Sequence, residues 1–258
     1  MRKVYIIILF VILLPFTLHA LQPGKNSKSD KWEELFHKGN QLYKDGNYES
    51  ALNSYLEVLG SGYSGGDLYY NMGNACYRLK MIGHAVLYYE RARAFMPRDP
   101  DLEYNLRYVR KLTKDAVEDH GSIMSSVFFW TASMTTGEVF WIFVIINFFL
   151  WGSLTLRLFF KKEWTFYVSI FFLAVWIVSG ALSVWKYYAK ASDDRAVVLP
   201  EQADVLSGPY AGDTLLFKLH AGTIVAEERS EDNWKLIRLP DDRRGWIKAN
   251  AVEKINLK

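Results

Sequence analysis

Apolar residues are spaced along this chain in three rhythms, and each rhythm predicts a different kind of element. Between residues 31 and 118 they recur at helical spacing, as in Leu35-Phe36-Gly39-Tyr43 and Leu68-Met72-Cys76. Val139 to Phe160 (VFWIFVIINFFLWGSLTLRLFF) and Trp164 to Trp185 (WTFYVSIFFLAVWIVSGALSVW) are then almost continuously apolar. From Arg195 onward the runs are short and punctuated by turn residues: Val197-Val198-Leu199, Ala203 to Leu206, Leu215 to Leu219, Thr223 to Ala226, Trp234 to Leu239 and Arg244 to Ile247. About five strands in roughly 60 residues predict a small all-β barrel.

The two continuous runs are 22 residues each, enough to cross a hydrocarbon core about 30 Å thick at about 1.5 Å per residue. The first holds 15 Leu, Ile, Val or Phe residues, each favouring insertion by about 0.3–0.6 kcal/mol at helix centre. Only Lys161-Lys162-Glu163 separates the runs, so the helices return antiparallel as a transmembrane hairpin. Arg157, Lys161 and Lys162 cluster at that turn, whereas no Lys or Arg lies between Lys114 and Arg157. The positive-inside rule places the turn in the cytoplasm and both flanking segments outside. Asn147 is polar at mid-depth and is expected to bond across to the Ser179-Gly180-Ala181-Leu182-Ser183 face of the second helix.

The N-terminus carries an export pattern. Arg2-Lys3 precede the apolar core Val4 to Leu14, Pro15 ends it, and Leu18-His19-Ala20 is a cleavage cue. Residues 1–20 are therefore expected as a signal peptide, with an uncleaved anchor as the alternative. Residues 21–30 and 119–138 are expected linkers, as is the charged stretch 186–195, which is expected to leave residues 196–256 as an independently folded module.

The helical region repeats itself. Phe36-x-x-Gly39-Asn40-x-x-Tyr43 returns 34 residues later as Tyr70-x-x-Gly73-Asn74-x-x-Tyr77. Tyr48-x-x-Ala51-x-x-x-Tyr55 returns at the same offset as Ile82-x-x-Ala85-x-x-x-Tyr89, with Pro97 closing the second copy. Small residues stand where two helices must approach, and aromatics fill the space between hairpins. This pattern resembles the tetratricopeptide repeat, with repeats at 32–65 and 66–99 and a capping helix from Asp101 to Lys114. The resemblance implies a concave face lined by Phe36, Asn40, Tyr43, Lys44, Tyr70, Asn74, Tyr77, Arg78, Tyr104 and Tyr108, suited to gripping a protein segment. Relatives that hold a terminal carboxylate use a Lys/Asn/Arg clamp; Asn40 and Asn71 match it, but Phe36, Asp101 and Asn105 replace its basic members. An internal segment of a membrane partner is the expected ligand. Gly60-Ser61-Gly62-Tyr63-Ser64-Gly65 is a literal G-x-G-x-x-G, but a helix rather than a strand precedes it, so it reads as a turn and no cofactor is assigned.

The C-terminal order LSGP, LHAGT, NWKLIRLPDDRRGWI resembles the bacterial SH3 (SH3b) domain, with Gly222-Thr223 and Gly245-Trp246-Ile247 in the matching positions. Trp234 and Trp246 are expected in its core.

Composition adds mainly exclusions. The net charge of +3 carries no basic stripe, which argues against nucleic acid. A single cysteine, Cys76, rules out an internal disulfide and a Cys-rich zinc site, and reads as a buried inert thiol. The five histidines include no metal-ligand pair, and no nucleophile or phosphate-binding signature appears, so neither metal nor enzyme activity is expected. The whole order of export signal, short repeat array, two membrane helices and SH3b domain resembles BatE-type proteins of the bacterial aerotolerance (Bat) operons. That resemblance implies an inner-membrane protein with periplasmic domains, working beside von Willebrand factor A-type membrane partners. The expected function is a non-enzymatic adaptor. The alternative is a cell-wall anchor that binds peptidoglycan through the SH3b domain.

Overall fold

A computed structural model of the protein describes residues 27–115 and 133–256. The expected signal peptide and most of the 119–138 linker lie outside the described residues.

Five helices form the N-terminal array: α1 (Ser27–Lys44), α2 (Tyr48–Gly60), α3 (Gly66–Arg78), α4 (Ile82–Phe95) and α5 (Pro100–Leu112). Helix α1 begins inside the expected 21–30 linker. Gly46, at φ +79°, turns the chain between α1 and α2, and Lys80, at φ +63°, does the same between α3 and α4. The Gly-rich stretch 60–65 ends α2, turns, and starts α3. Asp99 caps α5 by accepting a hydrogen bond from the Leu102 N–H at 2.8 Å, and Pro100, which has no N–H to satisfy, takes the first helical position.

The array's core is built from Ala51, Tyr55, Val58, Leu68, Met72, Ala75, Cys76, Ala85, Leu87, Tyr89, Leu102, Leu106 and Val109. Burial pushes the Cys76 thiol up to about 12, so it stays a neutral packing group.

Two helices are long and apolar enough to span a membrane, α6 (Thr136–Phe159) and α7 (Glu163–Ala191). Only 17% and 11% of their most apolar stretches are buried, whereas the core helices of a soluble protein would be mostly covered. A capping box starts α6. The Thr135 hydroxyl accepts from the Glu138 N–H at 3.1 Å, and the Glu138 carboxylate accepts from the Thr135 N–H at 2.7 Å. The pair packs antiparallel, with Phe149 stacked on Phe172 (ring centroids 5.7 Å apart), Phe143 against Trp176, and the Ser183 hydroxyl reaching the Val139 carbonyl at 3.4 Å. Helix α7 does not stop at the expected linker but continues through Ala191, because nothing in Trp185 to Ala191 breaks a helix.

The C-terminal part is an antiparallel sheet of seven strands: β1 (Arg195–Val198), β2 (Gln202–Leu206), β3 (Leu215–His220), β4 (Ile224–Glu231), β5 (Trp234–Arg238), β6 (Arg244–Lys248) and β7 (Val252–Lys254). Their order is β3-β2-β6-β5-β4-β1-β7. Its core is aliphatic, formed by Ala196, Val198, Val205, Leu219, Val225, Ile237, Leu239, Ile247 and Val252.

Trp234 and Trp246 are not in that core; both are half-buried, which corrects the sequence expectation. The reason is strand alternation. Ile237 pairs with Gly245 and Lys235 with Ile247 on one face, so Trp234, Leu236 and Trp246 must point to the other. There the Arg229 guanidinium lies 5.5 Å from the Trp246 ring centroid.

A second correction concerns the expected separation by a linker. The sheet does not stand apart on a linker but packs on α4, and Val197 and Ile255 belong to the array's buried cluster. Helix α4 is consequently buried from Ala85 through Ala92 without a break, including Glu90 and Arg91. Gly83 makes the approach possible, since a Cβ there would stand 2.5 Å from the Leu199 carbonyl oxygen.

Candidate functional site

The ten residues expected to bind a partner come from α1, α3 and α5, and one hydrogen-bonded ladder ties these three helices together. Gly39 and Gly73 are small because an aromatic ring from the next helix lies on each. A Cβ would come within 2.5 Å of the Tyr55 ring at the first position and within 2.5 Å of the Tyr89 ring at the second. Each ring then points its hydroxyl at the neighbouring asparagine: Tyr55 donates to Asn40 Oδ1 at 2.8 Å and Tyr89 to Asn74 Oδ1 at 2.7 Å. Desolvation raises both phenols well above their ordinary range, so each remains a donor.

The same oxygens accept a second bond from the next first helix. Asn71 Nδ2 donates to Asn40 Oδ1 at 2.9 Å, and Asn105 Nδ2 donates to Asn74 Oδ1 at 3.2 Å and to the Tyr70 hydroxyl at 3.0 Å. Asn40 and Asn74 thus hold the repeats together, and their carbonyl oxygens are occupied. Asn71 and Asn105 were not among the expected site residues. Their signal was present, since they stand 34 residues apart, the interval that separates Asn40 from Asn74. By this pairing α5 continues the repeat as well as closing the array.

The remaining expected residues divide by environment. Phe36 is half-buried and packs against Tyr55 at the edge of the core. Tyr43 meets Tyr48 edge-on at 5.2 Å, and the Arg78 guanidinium lies 5.6 Å from the Tyr48 ring centroid. Tyr77 meets Tyr108 edge-on at 5.9 Å, and the Lys80 ammonium stands 5.8 Å from the Tyr77 ring. Tyr104 is 66% exposed and Tyr108 46% exposed, while Lys44 and Arg78 also face solvent. The structure therefore gathers Tyr43, Arg78, Tyr77 and Tyr108 into two contact groups beside the ladder, and leaves Lys44 and Tyr104 outside them. Aromatic faces and cations in this arrangement suit a segment with apolar or acidic side chains, and a backbone that can meet amide groups.

A second cluster joins the array to the sheet. Arg91, 4% exposed, donates to Glu253 Oε1 at 2.8 Å, to the Lys254 carbonyl at 2.6 Å and to the Ile255 carbonyl at 3.2 Å. Tyr69 and Tyr88 flank its guanidinium at 5.9 and 5.8 Å. Beyond the end of α5, Asp115 accepts from the His220 backbone N–H at 2.7 Å and from the Thr223 hydroxyl at 3.0 Å, and lies 3.1 Å from His220 Nδ1. Burial raises the Asp115 pKa, but the bonds from His220 and Thr223 outweigh it and hold the carboxyl below its usual range. Among the described residues no group of His, Cys, Asp and Glu is arranged to hold a metal ion.

No family model and no curated protein matches this sequence.

Proposed function

We propose that the protein is a membrane-anchored adaptor that binds a protein segment on the face formed by α1, α3 and α5. In this reading the array is of the tetratricopeptide type and the sheet an SH3b-like domain. Both lie in the periplasm of a bacterium, with the α6–α7 turn in the cytoplasm. The carrying observation is the tyrosine and cation surface of Tyr77, Arg78, Tyr104 and Tyr108, mounted on an asparagine ladder whose bonds fix the spacing of the helices. The resemblance to BatE-type proteins supports a von Willebrand factor A-type membrane partner.

A substitution at Asn74 would confuse this test, because it strips the acceptor from Tyr89, which is 1% exposed. Arg78→Ala combined with Tyr104→Ala removes solvent-facing groups instead. Crosslinking in intact cells, followed by solubilisation and mass spectrometry, should show partner recovery falling about tenfold, equivalent to about 1.4 kcal/mol. Full recovery with unchanged helical content would rule this face out.

A second reading is supported by the sheet. Its outward face carries Trp246 under Arg229, and Tyr210 on the loop between β2 and β3 is 72% exposed. Aromatic planes beside polar groups suit a glycan, so the protein would act as a peptidoglycan anchor. Co-sedimentation of the full-length protein with isolated peptidoglycan, lost in Tyr210→Ala with Trp246→Ala, would select this reading over the first.

A further inference from the structure

Almost every polar side chain within the apolar span of α6 and α7 is satisfied by its own backbone. Ser153 donates to the Leu150 carbonyl at 2.8 Å, Thr155 to Trp151 at 2.9 Å, Ser169 to Thr165 at 2.9 Å and Ser179 to Trp176 at 3.0 Å. Asn147 is different. It stands midway along α6, is half-buried, and has no hydrogen-bond partner among the described residues. The bond expected to the Ser179–Ser183 face does not form, because that face packs level with Val139 and Phe143, one to two helical turns away from Asn147. Trp176 Nε1 also lacks a partner, but it is enclosed beside Phe143 where no second chain reaches it. The Asn147 amide can be reached from the lipid side.

In hydrocarbon, an amide with neither water nor a partner is costly, and an added helix that supplies donor and acceptor relieves that cost. The surroundings of Asn147 fit such a helix. Phe140, Val144, Asn147, Trp151, Leu154 and Leu158 follow one another at alternating intervals of four and three residues. This is the spacing along which two parallel helices pack at a shallow left-handed crossing. The stripe lies beside the face α6 turns to α7: Phe140 is 53% exposed, Trp151 46%, Leu154 38% and Leu158 58%, whereas Val139, Leu150 and Ser153 are buried.

We propose that two copies of this chain pair in the membrane through α6, with their Asn147 amides hydrogen-bonded to each other across a two-fold axis. This rests on the reading that α6 and α7 cross a bilayer. A second copy is the occupant because a primary amide is complementary to itself, offering one carbonyl and one NH₂. Copies inserted in the same orientation also bring Asn147 to the same depth, so a two-fold axis along the membrane normal superposes donor on acceptor with no register shift.

The test uses full-length protein carrying Cys76→Ser and one exposed cysteine at Ser64, labelled with donor or acceptor dye and co-reconstituted into phosphatidylcholine vesicles. Flotation on a density gradient reports insertion separately from energy transfer. Floated protein should show transfer that falls on dilution with lipid. Asn147→Leu should float equally and pair about tenfold more weakly, while Asn147→Gln, which keeps the amide, should retain pairing. Random-level transfer in the floated parent protein, or equal transfer in Asn147→Leu, overturns the proposal. Failure to float would remove the membrane reading beneath it, and the proposal with it.

Discussion

Replacing Arg91 by Ala should uncouple the helical array from the sheet. The guanidinium satisfies two backbone carbonyls, those of Lys254 and Ile255, and one carboxylate, that of Glu253. Removing one partner of a buried ion pair costs about 3–5 kcal/mol when the other charge is left without solvent. Here the Glu253 side chain is 44% exposed and can return to water, so its share is small. The two orphaned carbonyls, at about 1–3 kcal/mol each and partly open to water once the side chain is gone, dominate. The sum is about 3 kcal/mol, lost from the junction rather than from either core.

Glu253→Gln is the control, since it removes the charge but keeps an acceptor, and should cost less than about 1 kcal/mol. Urea unfolding of the full-length protein in detergent, followed through an environment-sensitive dye on a single cysteine, separates the two parts. In a Cys76→Ser background, a cysteine replacing exposed Ser64 reports the array and one replacing exposed Ser230 reports the sheet. The parent should unfold with coincident probes, whereas Arg91→Ala should split them and shift the sheet to lower urea. Coincident probes and an unchanged midpoint in Arg91→Ala would refute the reasoning, as would an equal loss in Glu253→Gln.

Two further outcomes follow from the same geometry. His84 lies next to Gly83 on α4, and burial lowers its pKa against a smaller opposing pull from Glu253. A histidine held neutral in the fold gives its full contribution above its unfolded pKa of about 6.5 and loses it as pH falls through the lower folded value. Stability should therefore decline from about pH 7 towards 5, and His84→Gln should flatten that decline. An identical slope in the variant would sink the assignment. Asp115, with its depressed pKa, adds stability that disappears only below about pH 4. Within the sheet, Ile237→Ala should cost about 2–5 kcal/mol because the side chain is fully buried, and Trp246→Ala less than half as much; melting of each variant decides, and the reverse order would show that the tryptophan face is the packed one.

The helices and their order were legible because the 34-residue recurrence and the continuous apolar runs are strong local signals. Thr135-x-x-Glu138 ahead of an apolar run marks the start of α6, but that signal was passed over and the expected linker ran through it to residue 138. The sheet was legible as strands, but its two faces were not, because residue type was weighed above register. Ile237, Gly245 and Ile247 on one face already required Trp246 on the other. The junction between array and sheet was beyond reach. Arg91 and Ile255 are 164 residues apart, and an Arg beside a Glu on a helix normally faces solvent. Of the expected site, the positions Asn40 and Asn74 were identifiable but their work was not. A repeated asparagine looks the same whether it awaits a ligand or holds Tyr55 and Tyr89.

Helix α7 is one unbroken rod of 29 residues, about 44 Å at 1.5 Å per residue. On the proposed reading that α7 crosses a bilayer, a hydrocarbon core takes up about 30 Å of it and two to three turns stand clear. At its far end the Lys190 carbonyl accepts from Asn256 Nδ2 at 2.6 Å, and Arg195 pairs with Asp193 at 2.8 Å, so the rod passes into the sheet without a swivel. The sheet in turn is clamped to α4. On that reading the face formed by α1, α3 and α5 is carried at a set height and tilt above the lipid, as on a rigid mast. A partner anchored in the same membrane would have to present its segment at that height.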